Sequence, residues 1–102
     1  MAEHGNSNKN SKPHHLYEIR DSEDDDIFKY GISHYPIGED GYSSRMRIQA
    51  DFLNVGVKWL RFFARILLLD LPGRKEAKRI EREYIKKYRD QYGRNPRGNK
   101  DN

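Results

Sequence analysis

Two charged side chains in this sequence fall where apolar groups belong. Counted at about 100° per residue, the segment from Arg74 to Tyr92 gathers Ala77, Ile80, Tyr84, Ile85 and Tyr88 on one arc. Glu81 lies inside that arc, while Glu76 and Glu83 project with the lysines and arginines. A buried, unpaired carboxylate costs on the order of several kcal/mol, so Glu81 is paired, protonated or holding a cation. An ion pair with an arginine is the structural alternative to a ligand role. The same count from Ser44 to Leu53 sets Arg45 among Ile48, Phe52 and Leu53, whereas Arg47 projects away and faces Asp51 four residues on. Two tyrosines join these charges: if the strands flanking the acidic loop Asp21–Asp26 pair symmetrically, Arg20 faces Ile27 and Tyr17 stands opposite Tyr30 on one face. An inward glutamate, an inward arginine and two neighbouring phenols from different elements make up a site rather than a core, although facing tyrosines also occur as simple packing pairs.

The elements that must position these groups follow from periodicity and turn residues. Residues 1–14 are polar and aperiodic, which predicts a disordered leader or linker ahead of a domain over 15–102. Leu16–Arg20 and Ile27–Ser33 alternate as strands of a hairpin. Pro36, Gly38 and Gly41 mark a loop, after which Ser43 or Ser44 caps a helix running to about Leu53. Trp59–Leu69, dense in aromatic and aliphatic residues, predicts a third strand. Pro72 and Gly73 break that strand, and Gly93 ends the helix that follows. The expected fold is α+β, a three-stranded antiparallel sheet flanked by helices in the order β-β-α-β-α.

Composition narrows the partner. The chain has 102 residues, 34% of them apolar, enough for one modest core. The greasiest stretch, Trp59–Leu71, is interrupted by Arg61, Arg65 and Asp70, which argues against a membrane span. Cysteine is absent, so neither a disulfide framework nor a thiolate metal site exists. The net charge of +4 is split unevenly, with a balance of −4 over residues 1–57 and +8 over 58–102. A basic half suggests a polyanionic partner, nucleic acid first among them, although solvated helix faces are often basic for no functional reason. His14 and His15 read as incidental on the leader, His34 as a surface residue, and Tyr42 as cover for a core edge.

Leu16-Tyr17-Glu18-Ile19 and Lys29-Tyr30-Gly31-Ile32-Ser33 resemble the paired strand motifs of the GIY-YIG (URI) nuclease superfamily, and the helix arginine and Glu81-x-x-Tyr84-Ile85 follow in that family's order. The resemblance covers residues 15–99, and Lys-Tyr-Gly-Ile-Ser with Pro-x-Gly-Asn is similar to the family's bacterial toxin branch. Some positions depart from the pattern: His15-Leu16 stands where the family has Gly-Ile, and the second motif reads Tyr-Gly-Ile instead of Tyr-Ile-Gly. Arg47 competes with Arg45 for the arginine position and Asn95 with Asn99 for the terminal asparagine; the wheel favours Arg45.

The resemblance implies a metal-dependent endonuclease whose catalytic residues are Tyr17, Tyr30, Arg45, Glu81 and Asn99. Glu81 would ligate Mg2+ or Mn2+, Arg45 would hold the phosphate, a phenol would accept a proton from water, and Asn99 would position the substrate backbone or the metal's water shell. The nearby cation and guanidinium are expected to favour the ionised phenol. A monomer acting on nucleic acid, DNA before RNA, is implied. For the toxin branch, so is delivery from another cell within a larger secreted protein, action in the cytoplasm and neutralisation by an immunity protein. A noncatalytic nucleic-acid-binding module on the same fold is the alternative.

Overall fold

The computed structural model describes residues 11–99. Its elements are β1 (Pro13–Asp21), β2 (Asp26–Ser33), α1 (Ser44–Val57), β3 (Phe62–Pro72) and α2 (Gly73–Tyr92). The fold is α+β in the expected order. The sheet runs β2-β1-β3, with both neighbours antiparallel to the central β1. Most of the expected leader lies outside the described residues, but β1 begins at Pro13, so His14 and His15 belong to a strand and are buried.

Side chains alternate across a strand, and the two faces of this sheet have separate cores. On one face Tyr17, Ile19, Phe62 and Ala64 pack with Met46 and Ala50 of α1. On the other, Leu16, Ile32 and Leu71 pack with Ala77 of α2, and Tyr30 packs with Ile85 and Tyr88. The sheet is therefore sandwiched between the helices.

The hairpin register differs from the symmetric reading. Arg20 does face Ile27, but Ile19 faces Lys29, because Phe28 is an extra residue in β2. A one-residue bulge moves every later side chain to the opposite face. Tyr17 consequently pairs with Gly31, and Tyr30 with Glu18, so the two phenols stand on opposite faces instead of side by side.

The inward face of α1 also needs correction. Its buried residues are Met46 and Ala50, continued by half-buried Leu53 and Val57, whereas Ile48 and Phe52 are 67% and 79% exposed. Arg45 thus sits on the helix flank and is solvent-exposed, not inserted among core groups. The wheel misled because the bulkier apolar arc faces outward while a slimmer one fits the sheet. Ser43 caps the helix by accepting from the Met46 N–H, and Arg47 pairs with Asp40, not Asp51. The third strand starts at Phe62, leaving Trp59 and Leu60 exposed ahead of it. Gly93, in the left-handed region at φ 77°, closes α2.

After α2 the chain returns along β2. The Gly98 N–H donates to the Phe28 carbonyl at 2.7 Å. The Asn99 side chain accepts from the Tyr30 N–H at 2.8 Å and donates to its carbonyl at 2.9 Å, in the manner of a strand residue. Arg97 joins Arg61 on the buried Asp21 carboxylate. These bonds fasten the tail to the sheet.

Candidate active site

Beyond the point where the tail holds Tyr30, a cleft of about 390 Å3 opens at the β2 edge, where Gly31, Ile32 and Ser33 join its lining. Tyr17, Arg45, Glu81 and Asn99 reach it from β1, α1, α2 and the tail, and Lys29, Arg74 and Lys78 add positive charge. Among the described residues the balance is four basic side chains to a single carboxylate, a composition suited to a phosphate-bearing ligand.

Tyr17 belongs to the central strand, yet its ring end reaches the cleft because the residue beside it is a glycine. A Cβ on Gly31 would meet the Tyr17 Cζ at 2.4 Å, so any side chain there would collide with the ring. The phenol donates to Gln49 Oε1 at 2.6 Å. Gln49 lies one turn after Arg45 on the flank of α1. Burial raises the Tyr17 hydroxyl above its ordinary pKa; the adjacent Arg45 guanidinium opposes this, and Glu81 adds to it. Burial is the largest of these influences, so the phenol lies above its ordinary value.

Tyr30 also lines the cleft, but in a different environment. Its ring meets Tyr84 edge to face at 5.5 Å within the α2-side core. Burial, followed by the Glu18 charge, pushes its hydroxyl up to about 12. Glu81 is buried, as its wheel position requires, but its partner is Lys78 at 2.8 Å, three residues earlier, rather than an arginine. Asn99, not Asn95, lines the cleft. Both ends of its amide bond the Tyr30 backbone, which makes it a brace for β2. Asn95 lies on the exposed tail within reach of Arg89.

Several lining residues were missed or misplaced from sequence. Lys29, on the Tyr17 face beside Ile19, has its ammonium pKa lowered by burial and then by Arg45. Gln49 has no motif of its own; its offset of four from Arg45 was the available signal. His34 lines the cleft rather than the outer surface, with its ring 5.4 Å from that of buried His14. His15 contacts Ser43 Oγ at 3.2 Å, and burial lowers its pKa. Tyr42 packs against the α1-side core, as expected. Away from the cleft, Glu18 is another buried carboxylate, paired with Arg65 at 2.6 Å.

The donor set bears on the metal expected from sequence. Among the described residues Glu81 is the only carboxylate lining the cleft, and no group of three His, Asp or Glu side chains is arranged to hold a metal ion. A single carboxylate fits an ion that keeps most of its water shell, as magnesium does, and does not fit a closed protein cage. No helix among the described residues is long and apolar enough to cross a membrane.

A family model described as URI fold toxin 2 matches residues 7–93, which include both strands of the hairpin, both helices and the third strand. The tail bearing Asn99 lies beyond the matched residues. No curated protein and no solved structure matches the chain. The family match extends over most of the sequence and agrees with the β-β-α-β-α architecture, so the chain belongs to the URI fold toxin 2 family, whose members are polymorphic toxin nucleases of the GIY-YIG/URI fold.

Proposed function

We propose that this domain is a metal-dependent endonuclease that hydrolyses phosphodiester bonds of nucleic acid, with DNA the first substrate to test. One observation carries the reading: Tyr17, Arg45 and Glu81, from three separate elements, converge on one cleft whose other charges are basic. A structural core gains nothing from such an arrangement, whereas a phosphodiester needs charge neutralisation on its nonbridging oxygens and a group to take a proton from the attacking water.

Arg45 holds the phosphate, and Lys29 and Lys78 add to the field around it. Glu81 would hold a hydrated magnesium or manganese ion, which supplies neutralisation at the leaving oxygen. Tyr17 is the better base of the two phenols. Its hydroxyl lies at the cleft beside a guanidinium, whereas that of Tyr30 is driven up to about 12 within the opposite core. The Tyr17 O–H is given to Gln49; to act as base the phenol must first release that proton to solvent, the Arg45 guanidinium favouring the ionised form, and the phenolate then takes one from the attacking water. Tyr30 and Asn99 act as positioning residues: the asparagine holds the Tyr30 backbone and hence the edge strand.

The test is plasmid nicking by the full chain with and without magnesium, beside Glu81→Ala and Arg45→Ala. Magnesium-dependent nicking that both substitutions reduce by at least about a hundredfold is the expected result. If the wild type is inert while all three proteins still shift DNA, the chain is a noncatalytic binder. As a delivered toxin with a dedicated immunity protein, the wild type should arrest bacterial growth on expression in the cytoplasm, and Glu81→Ala should not.

A further inference from the structure

The loop leaving β2 carries an aromatic pair that the hydrolytic reading does not use. The His34 and Tyr35 rings are stacked, with centroids 4.7 Å apart and planes 24° from parallel. His14 meets the other end of the pair at 5.4 Å. All three residues line the same cleft as Arg45 and Glu81. Tyr35 is 46% exposed and packs against none of the core clusters, so burial does not explain its position.

This pair is held in place. The Tyr35 N–H donates to Ser33 Oγ at 3.1 Å, and Pro36 restricts the tyrosine before it to extended backbone. His14, buried in β1, fixes the far side through its Nδ1 contact with the Lys12 carbonyl at 2.7 Å. Burial, then His14 and neighbouring cations, lowers the His34 pKa, which keeps the imidazole neutral at physiological pH. The result is a rigid, uncharged π surface at the rim of a basic cleft.

A flat aromatic surface beside a phosphate site fits the face of a nucleobase. In a duplex those faces are covered by neighbouring base pairs, and only an unpaired nucleotide can present one. We infer that the cleft takes an unpaired nucleotide, its phosphate toward Arg45 and its base stacked on the Tyr35–His34 pair, so that the preferred substrate is single-stranded or locally unpaired nucleic acid. This inference rests on the nuclease reading and adds the substrate class to it.

The experiment is fluorescence anisotropy of the full chain without divalent metal, so that the probe stays intact. The probes are a short single-stranded DNA, an RNA of the same sequence and the blunt DNA duplex. Wild type should bind a single strand about tenfold more tightly than the duplex, Tyr35→Phe should keep that preference and Tyr35→Ala should abolish it. An abasic sugar moved along the strand should cost about tenfold at one position in wild type and nothing there in Tyr35→Ala. Circular dichroism checks that the Tyr35 variants remain folded. A flat abasic scan, or a duplex bound as tightly as the single strands, overturns the stacking inference while leaving the nuclease reading in place. No salt-sensitive binding to any probe overturns both.

Discussion

Gly31→Ala isolates the placement of Tyr17 from every charged group in the cleft. The new methyl carbon would lie 2.4 Å from Tyr17 Cζ, 2.5 Å from its hydroxyl oxygen and 2.9 Å from Cε2. Carbon atoms in ordinary contact are about 3.5–4.0 Å apart, so the ring end must retreat by about 1 Å. That movement breaks or stretches the 2.6 Å bond to Gln49 and carries the phenol away from Arg45. A misplacement of this size at a reacting group costs about a hundredfold in rate, while overpacking costs about 1–3 kcal/mol of stability. The protein should therefore remain folded, with a modestly lower urea midpoint, and its nicking kcat/KM should fall about a hundredfold. Combining Gly31→Ala with Tyr17→Phe tests the cause. If both act through one hydroxyl, the double variant should lose about the same hundredfold as either alone, not the roughly ten-thousandfold of independent effects. A fully active Gly31→Ala, or multiplicative losses in the double variant, would refute the assignment of Tyr17.

Three further substitutions probe the supports of the site. Gln49→Leu removes the acceptor of the Tyr17 proton and should cut nicking about tenfold with little change in KM for DNA; an unchanged kcat would show the bond to be incidental. Asn99→Ala leaves the Tyr30 N–H and carbonyl without their partner, so chemical denaturation should show a loss of about 1–2 kcal/mol, with a lower kcat and no loss of DNA affinity. Asp21 is fully buried against Arg61 and Arg97, and those cations hold its carboxyl far below the usual range, the Arg61 hydrogen bonds contributing most. Its folded-state pKa is thus depressed, so its contribution is present above the unfolded carboxylate range and is lost as pH falls through the folded value. Asp21→Asn should cost about 2 kcal/mol at neutral pH, discounted for the solvent reaching both arginines, and urea unfolding at pH 7 and pH 2 should show the gap closing in acid.

Element types were readable from sequence because each had a local cause. Pro72-Gly73 and Gly93 mark chain breaks, Ser43 supplies a cap, and the α2 arc recurs at helical spacing. Glu81 was legible for the same reason, since one helix defines its own wheel. What failed required knowledge of a second element. The extra residue at Phe28 leaves no mark in the strand pattern, yet it decides whether Tyr17 meets Tyr30 or Gly31. The inward arc of α1 is chosen by the contour of the sheet beneath it, and there Met46 and Ala50 fit where Ile48 and Phe52 do not. Arg45 reaches the cleft all the same, from the flank beside that arc. His14 looked incidental because its strand begins three residues earlier than the apolar pattern suggests.

The position of the site follows from the sandwich. An arginine on α1 and a glutamate on α2 are separated by the sheet, because the helices cover opposite faces. They can share one substrate only where the faces meet, at an edge. The β2 edge is also where unpaired backbone would invite association with another strand. Here the tail occupies part of it through Gly98 and Asn99, and the cleft takes the part that follows. The Tyr17 phenol comes from β1, one strand inward, and must reach past β2. A side chain opposite it on β2 would stand in the way, so the residue paired with Tyr17 has to be glycine. The order Tyr30-Gly31-Ile32, a departure when viewed as a motif, is therefore what the bulged register demands: with Phe28 inserted, glycine must directly follow Tyr30 for the Tyr17 ring end to reach the cleft that Arg45 and Glu81 also line.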